Sequence, residues 1–208
     1  MKAIKINFSE SNDELFGQSK WWGAPDLPED WEYPEMPDED GTPLTFVCQI
    51  NCEDLAPFDP EGQLPHEGML YFFAALDQYM MDDVDECPFY NGMGEWDNKA
   101  YKVLYSPTID NLSPYELTWD DGTPAYLPAV AINFQEDEAF SDDFRLLGMP
   151  YFQNVQSGYY DHINLLQIDE NDDWGLQLYD CGMINFLIRP EDLKNRRFEK
   201  TVVYFESL

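Results

Sequence analysis

The chain has 208 residues, with 42 Asp and Glu against 11 Lys and Arg, so its formal net charge is −31. Such a negative surface repels phosphate backbones and anionic lipid headgroups, which excludes ordinary nucleic-acid binding and peripheral membrane binding. Hydrophobic residues make up 44% of the chain and no apolar run reaches the length of about 18 residues that spans a bilayer, so we expect one compact domain over residues 1–208.

Short apolar segments bounded by Gly, Pro or Asp-Gly predict a mainly β fold, an α+β chain with few short helices. We expect strands at residues 3–8, 44–51, 69–76, 100–105, 130–134, 163–168, 183–188 and 201–205. Ser141 as a cap and Gly148 as a stop predict a short helix over residues 141–147. Pro190, followed by two acidic residues, predicts a second short helix.

The N-terminus and the cysteines indicate a cytoplasmic protein. The residues after Phe8 turn polar and acidic, which leaves no apolar region for a secretory signal peptide. Cys48 and Cys52 fall about 13 Å apart in one apolar strand, beyond the reach of a disulfide. Because His66 and His162 are the only histidines and no CxxC or HxxxH pair occurs, we expect no zinc site and no cofactor.

Basic residues are distributed unevenly along the chain. From Trp21 to Asn98 there are 20 acidic residues and no Lys or Arg, and residues 103–144 and 146–188 also lack both. Several of the basic residues lie together near the C-terminus, namely Arg189, Lys194, Arg196, Arg197 and Lys200. The carboxylates of the first half have no local partner, so we expect a surface that is screened by salt or by a basic protein partner.

Four sequence blocks recur in the same order. They begin at Gly23 and Gly148, Phe46 and Asn164, Gly68 and Gly182, and Lys102 and Lys200. Ordered recurrence predicts an internal duplication, so we expect two similar β-rich halves packed about a pseudo-two-fold axis. We place the repeats at residues 19–105 and 145–206, with an insertion at residues 77–98.

The order of these motifs also suggests a family. The chain carries Gly23-Ala24-Pro25, Gln49-Ile50-Asn51, Leu70-Tyr71-Phe72-Phe73, Leu165-Leu166-Gln167-Ile168-Asp169, Trp174-Gly175 and Arg189-Pro190-Glu191-Asp192-Leu193. This series resembles the bacterial YwqG family over residues 18–206, except that Trp22 replaces a usual glycine and the segment from Trp174 to Gly182 is longer than usual. The resemblance implies a β-rich duplicated fold in a family without an agreed activity, some of whose members lie near toxin genes.

Gln49 and Gln167 are candidate binding residues, since they occupy matching positions in the two repeats, each inside an apolar strand. Two buried amides that face one another near a pseudo-two-fold axis could satisfy each other or hold a ligand. The alternative, which we favour, is that each amide is paired with its own neighbours.

The acidic segment from Asp169 to Asp173 is the candidate cation site, and Asp180 is the twelfth residue when Asp169 is counted as the first. A calcium-binding EF-hand loop needs glycine at its sixth position and normally glutamate at its twelfth, where this chain has Trp174 and Asp180. We therefore expect a solvated acidic turn and no metal, and retain Asp169, Trp174 and Asp180 as candidate binding residues.

Trp21 and Trp22 lie close to the acidic residues of segment 26–35, together with Trp31 and Tyr33. Aromatic rings beside carboxylates suit Lys and Arg side chains, through cation–π contacts and ion pairs. The alternative is that these rings close the core beneath a proline-rich loop.

These patterns leave two classes of function. The first is a non-enzymatic cytosolic binding protein with a strongly acidic surface for a basic protein, which includes an immunity-type inhibitor that mimics nucleic acid. The alternative is a carboxylate-based enzyme or carbohydrate-binding protein with its site between the two halves. We favour the first and expect no catalytic residue, because the chain lacks Gly-x-Ser-x-Gly, phosphate-loop and dinucleotide motifs.

Overall fold

A computed structural model describes residues 2–11, 14–37, 41–80, 91–138 and 140–208. Most of the regular structure is β-strand, which confirms the predicted fold class. The α-helices of these residues are Gln153–Gly158 (α1) and Pro190–Lys194 (α2), and 3₁₀ helices cover Cys52–Leu55, Asp77–Tyr79, Asp172–Trp174 and Phe198–Lys200. None of the helices in these ranges is long and apolar enough to cross a membrane.

Each strand predicted from the sequence is present. In chain order the strands are Ala3–Ser9 (β1), Lys20–Trp21 (β2), Asp26–Pro28 (β3), Thr45–Asn51 (β4), Met69–Ala74 (β5), Gly94–Glu95 (β6), Tyr101–Ser106 (β7), Leu112–Pro114 (β8), Val130–Asp137 (β9), Arg145–Leu147 (β10), Ile163–Ile168 (β11), Met183–Ile188 (β12) and Val202–Glu206 (β13). The strands that sequence analysis did not predict, β2, β3, β6, β8 and β10, are too short to show a hydrophobic period.

Within the described residues, eleven strands form one antiparallel sheet in the order β6-β13-β12-β11-β10-β1-β9-β2-β4-β5-β7, and β3 pairs with β8 separately. Strands β5, β11 and β12 are buried along their whole length, and β4 along most of it. Both faces of such strands must be covered, because exposed apolar surface costs free energy. The sheet therefore curls until its ends meet, where the Tyr101 hydroxyl on β7 donates to the Thr201 carbonyl beside β13 at 3.0 Å.

The centre of the sheet shows the duplication directly. Strand β1 and strand β9 carry the similar sequences AIKINF and AVAINF, which begin at Ala3 and Ala129. They run antiparallel with Asn7 opposite Asn133, so a pseudo-two-fold axis passes between these equivalent asparagines. We call β1–β7 the first half and β9–β13 the second half. The first strand of each half is exchanged: β1 pairs with β10 of the second half, and β9 pairs with β2 of the first half.

The hairpins β4–β5 and β11–β12 repeat one another residue by residue. Gln49 lies opposite Tyr71 in the first hairpin, and Gln167 lies opposite Asn185 in the second. Each hairpin also has a register shift two residues before its glutamine. Strand pairing does not require such a bulge, so its presence at the same position in both hairpins supports the duplication.

One of the four repeat blocks is one residue out of register. Val103 lies opposite Phe72, and Val203 lies opposite Phe186. Because Phe72 and Phe186 occupy equivalent positions, Val103 corresponds to Val203. The strand pairing thus aligns Lys102 with Val202. Matching Tyr105 with Tyr204 in the two sequence blocks would instead align Lys102 with Thr201.

The predicted helix over residues 141–147 is wrong, since Arg145–Leu147 forms β10 between β1 and β11. Pairing with strands on both sides outweighs the weak helix signals of so short a segment. Ser141, expected as a helix cap, donates its hydroxyl to Asp137 Oδ2 at 2.8 Å. The helix at Pro190 is confirmed.

Part of the predicted insertion at residues 77–98 lies outside the described residues, namely residues 81–90, which include Cys87. The described part contains a 3₁₀ helix and β6, which pairs with β13. The repeat bounds 19–105 and 145–206 stay a prediction. They leave out β1 and β9, which the sheet pairs as equivalent strands.

Candidate functional site

The predicted aromatic residues Trp21 and Trp22 are buried, with 0% and 2% of their surface exposed. They pack in a cluster of rings with Phe8, Phe144 and Trp174, in which the Trp21 and Trp174 rings stack with centroids 6.0 Å apart. The core interpretation is therefore correct for Trp21 and Trp22. Their interpretation as a surface for Lys and Arg is wrong, because a partner's side chain cannot reach buried rings.

Gln49 belongs to a buried polar cluster in the first half. Its side-chain carbonyl accepts from the Asp26 N–H at 2.8 Å, and its amide donates to Asp26 Oδ2 at 2.6 Å. The same oxygen lies 2.9 Å from Lys20 Nζ, in an ion pair whose side chains are almost fully buried. Burial lowers the pKa of Lys20, and the charge of Asp26 opposes this shift. The cluster connects β2, β3 and β4 and leaves Gln49 without a free hydrogen-bonding group.

Gln167 reproduces part of this cluster in the second half. Its side-chain carbonyl accepts from the Tyr151 N–H at 3.1 Å, and its amide donates to the Asp143 carbonyl at 2.9 Å. Tyr151 occupies the position of Asp26, so Arg145, the counterpart of Lys20, forms no ion pair with the described residues and donates to Gln167 at 3.3 Å. The two amides do not meet, because β2, β9, β1 and β10 separate β4 from β11.

Asp169 and Asp180 have separate hydrogen-bond partners. The Asp169 carboxylate accepts the backbone N–H groups of Asp143 and Glu170, and burial raises the pKa of Asp169. Asp180 is exposed, and its main chain binds the Ser207 hydroxyl. In the part of the chain that the structure describes, no group of three or more His, Cys, Asp or Glu side chains is placed to hold a metal.

The strongest candidate site is an exposed acidic surface on the two segments that flank the β3–β8 pair. We define the acidic face as the carboxylates Glu29, Asp30, Glu32, Glu35, Glu116, Asp120 and Asp121, all of which are exposed. None of them forms an ion pair with a cation of the described residues. Unpaired carboxylates on a chain of net charge −31 attract positive charge.

A turn at Trp119 forms the tip of the acidic face. The Trp119 N–H donates to the Thr123 carbonyl at 2.9 Å, and the Gly122 N–H donates back to the Trp119 carbonyl at 2.8 Å. This turn carries Asp120 and Asp121 on its two central positions. Trp119 is 62% exposed, although tryptophan is highly buried on average. A large aromatic ring is thus exposed to solvent in a turn that carries two carboxylates.

The carboxylate of Asp121, in the same turn, is held in place by Thr123. Its Oδ1 accepts from the Thr123 hydroxyl at 2.6 Å and from the Thr123 N–H at 2.9 Å. The hydroxyl hydrogen bond, and then the N–H, lower the pKa of Asp121. The group therefore keeps its charge to a lower pH than an unpaired aspartate.

Tyr115 joins the two segments of the acidic face. Its ring lies with its centroid 5.1 Å from that of Tyr33, and its N–H donates to the Pro25 carbonyl at 2.8 Å. Tyr115 is 39% exposed, whereas Tyr33 is buried and donates its hydroxyl to the Leu44 carbonyl. Tyr33 thus anchors the face to the core, while Tyr115 adds a second accessible ring.

Sequence reasoning missed Trp119, although a signal for it exists. The run Trp119-Asp120-Asp121-Gly122 places a tryptophan beside two acids in a turn, within residues 103–144 that lack Lys and Arg. The sequence interpretation used only the Asp-Gly pair as a turn. It assigned the acidic and aromatic surface to Trp21 and Trp22, because sequence does not show which of several tryptophans is buried.

A separate cavity of about 490 Å³ lies between the segment around β6 and the 3₁₀ helix before β13. The carboxylates that line it are Glu95, Asp97 and Glu199. Glu95 accepts from the Tyr159 hydroxyl at 2.5 Å. Burial, and then the charge of Glu95, raise the pKa of the lining residue Tyr101 to about 12. Both halves contribute to this cavity, as the alternative function requires.

Comparison with known proteins gives a family but no activity. Residues 19–145 and, separately, residues 129–206 match the family described as a domain of unknown function, DUF1963. The second match begins at Ala129, where the sequence of β1 recurs, which agrees with the duplicated fold. No curated protein matches the sequence. The chain belongs to the DUF1963 family, since the matches cover most of its length.

Proposed function

We propose that this protein is a non-enzymatic cytosolic binding protein whose acidic face takes up a basic segment of a partner protein. The observation that carries the proposal is the position of Trp119, 62% exposed at the tip of a loop whose carboxylates have no cation among the described residues. Exposed aromatic rings among unpaired charges are typical of recognition surfaces, because neither feature stabilises the isolated fold.

A lysine or arginine of the partner would meet two kinds of group on this face. The Trp119 ring offers a cation–π contact, worth about 0.5–1 kcal/mol at an exposed site and about 2 kcal/mol when desolvated. Asp120 and Asp121 offer charge-assisted hydrogen bonds. Single exposed ion pairs contribute little, so affinity would come from several contacts together. The net charge of −31 would add a faster encounter with a basic partner.

The finer form of this proposal is an immunity-type inhibitor that mimics nucleic acid. A protein that acts on nucleic acid presents Lys and Arg side chains to phosphate groups. The carboxylates of the acidic face would occupy those cations and keep the nucleic acid out. The resemblance to the YwqG family supports this form, because some members of that family lie near toxin genes.

A binding experiment with matched variants tests the proposal. A fluorescent arginine–glycine repeat peptide is titrated at low salt and at physiological salt, where the Debye length is about 8 Å. The triple variant Trp119→Ala, Asp120→Asn, Asp121→Asn removes the tip of the acidic face. The control Tyr160→Ala, Asp172→Asn, Asp173→Asn removes a ring that is 85% exposed and two exposed carboxylates elsewhere.

We expect the triple variant at the tip to weaken peptide binding about tenfold, a loss of about 1.4 kcal/mol, and the control to change it less than about twofold. The same variant should lose whatever basic protein the wild type captures from its native lysate. Equal losses in both variants would mean that only the bulk charge attracts the peptide, and the proposal would then be rejected.

The cavity lined by Glu95, Asp97 and Glu199 supports the alternative function, a carboxylate-based enzyme or carbohydrate-binding protein. Aromatic and carboxylate side chains suit sugar rings and hydroxyl groups. A panel of chromogenic glycosides and immobilised glycans tests this alternative. The alternative would be supported if the wild type shows turnover or binding that the Glu95→Gln and Glu199→Gln variants abolish. It would be rejected if the wild type shows neither turnover nor binding.

A further inference from the structure

A cavity of about 380 Å³ lies at a different junction of the two halves. The first half contributes the loop over residues 61–65, and the second half contributes the start of β11, helix α2 and Arg196. The apolar walls are formed by Leu64, Pro65, Ile163, Pro190 and Leu193. Small-molecule sites typically have volumes of about 300–1,000 Å³ and combine apolar walls with a few polar groups, so this cavity has a suitable size and a mixed lining.

The pseudo-two-fold axis creates an equivalent junction between the loop over residues 175–179 and the 3₁₀ helix Asp77–Tyr79. The described residues close that junction. The Gln177 N–H donates to the Tyr79 carbonyl at 2.9 Å. The rings of Tyr79 and Tyr179 pack with centroids 5.9 Å apart, and Leu178 is fully buried.

The junction with the cavity has different residues at the same positions. Counted from the equivalent strands β5 and β12, Gln63 corresponds to Gln177, Leu193 to Tyr79, and Lys194 to Met80. Among the backbone hydrogen bonds of the described residues, none joins Gln63 to Leu193. Met80 packs against the core, whereas Lys194 is exposed at the cavity. Among the described residues, one copy of the junction is thus filled, whereas the other is open and lined by Lys194 and Arg196.

The charges around the open junction favour an anion. Lys194 forms no ion pair with any of the described residues. Arg196 lies 4.0 Å from Glu67 and places its guanidinium 5.3 Å above the Tyr105 ring, so it is only weakly paired. Glu61 is the one carboxylate among the described lining residues. In a chain of net charge −31, a cavity with more cations than carboxylates is a local exception.

We infer that this cavity binds a small organic anion with an apolar body. Lys194 and Arg196 would hold its carboxylate, phosphate or sulfonate group, since arginine binds such oxygens through paired N–H donors. The leucine, isoleucine and proline side chains would cover the apolar body. This site is independent of the acidic face and does not require that the protein bind a basic partner.

A pair of dyes that differ in one charge tests the inference. 8-Anilinonaphthalene-1-sulfonate has an aromatic body and a sulfonate, and N-phenyl-1-naphthylamine is its neutral analogue. We expect the sulfonate to bind the folded protein at a single saturable site, about tenfold more tightly than the neutral dye. Equal affinities, or no saturable binding of the sulfonate, would overturn the inference.

Variants separate this site from the rest of the surface. The variant Lys194→Met, Arg196→Gln should weaken sulfonate binding about tenfold and leave binding of the neutral dye within about twofold. The control Lys99→Met, Lys102→Gln removes the same charge at exposed positions outside the cavity and should have no such effect. Melting curves establish that both variants are folded, and the single variant Lys194→Gln replaces the double variant if the latter is not. Equal weakening by the control would overturn the inference.

Discussion

Phe72 and Phe186, which occupy equivalent positions in the two halves, pack edge to face with ring centroids 5.4 Å apart. Both side chains are fully buried. Asn7 and Asn133 meet on the same pseudo-two-fold axis at the centre of the sheet. The axis thus runs from the middle of the β1–β9 pair into the core between β5 and β12. The two halves share one core, because their innermost rings touch each other.

This shared core predicts that the two halves unfold together. Truncation of Phe72 or Phe186 to alanine should lower the free energy of unfolding by about 3–5 kcal/mol, from lost burial and the cavity left behind. Urea unfolding followed by tryptophan fluorescence and by circular dichroism should give one coincident transition in each variant. Phe16→Ala, at a residue that is 48% exposed, is the control and should change stability by less than about 0.5 kcal/mol. Two separate transitions would show that the halves are independent.

Substitution by alanine should lower the free energy of unfolding by different amounts at Gly68 and Gly62. Both have a positive φ, 80° and 63°, so alanine at either position costs about 1–2 kcal/mol. A Cβ at Gly68 would also lie 2.1 Å from the Ser106 carbonyl oxygen, whereas a Cβ at Gly62 meets no atom within 4 Å. We expect Gly68→Ala to be far more destabilising than Gly62→Ala in urea unfolding. Equal effects would mean that β5 and the end of β7 do not approach so closely.

The parts of the fold that sequence predicts best are those with strong local patterns. The long strands and the helix at Pro190 follow from apolar runs and turn residues, and the duplication follows from ordered blocks. The exchange of β1 and β9 between the halves was not predictable, because periodicity does not show which strands pair. The equivalence of β1 and β9 was detectable, since the similar segments AIKINF and AVAINF begin at Ala3 and Ala129.

The candidate site was predictable only in its chemistry. Charge counting predicts an acidic surface, and Glu29, Asp30 and Glu32 are exposed on it. The aromatic partner was misplaced, because the sequence interpretation chose Trp21, which is a core residue, and did not use the turn residues that follow the exposed Trp119. The cavity at Lys194 depends on residues from both halves, so only the fold brings them together.

The buried pair of Lys20 and Asp26 predicts a non-additive response to substitution. Lys20→Met leaves a buried carboxylate without its cation, which costs about 3–5 kcal/mol in such pairs. The double variant Lys20→Met, Asp26→Asn should recover much of that loss, because no unpaired charge remains. The backbone N–H of residue 26 still donates to the Gln49 side chain in this variant. A double-mutant cycle in urea measures the coupling. Additive losses would show that the two charges are already separated by water.

The raised pKa of Asp169 predicts how folding stability changes with pH. Burial raises its pKa above the ordinary 3.8, so ionised Asp169 destabilises the folded state. The destabilisation is relieved as pH falls from neutral through the raised pKa towards 3.8. Asp169→Asn removes this titration, so the stability of the variant relative to wild type should decrease as pH falls. Asp121→Asn should behave in the opposite way. The pKa of Asp121 is lowered, so wild type loses the stability that ionised Asp121 contributes as pH falls, and the stability of the variant relative to wild type should increase.

Sodium chloride should raise the melting temperature of this protein. Carboxylates on a compact surface of net charge −31 repel one another more strongly than in the expanded unfolded chain. Salt at physiological strength shortens the Debye length to about 8 Å and weakens this repulsion most in the folded state. Melting curves at neutral pH with increasing sodium chloride measure the effect, and matched sucrose concentrations control for preferential exclusion. The variant Asp120→Asn, Asp121→Asn should respond less than wild type, since it carries two fewer negative charges. An unchanged melting temperature would show that the carboxylates are dispersed or locally compensated, and the acidic face would then lose its main physical argument for a basic partner.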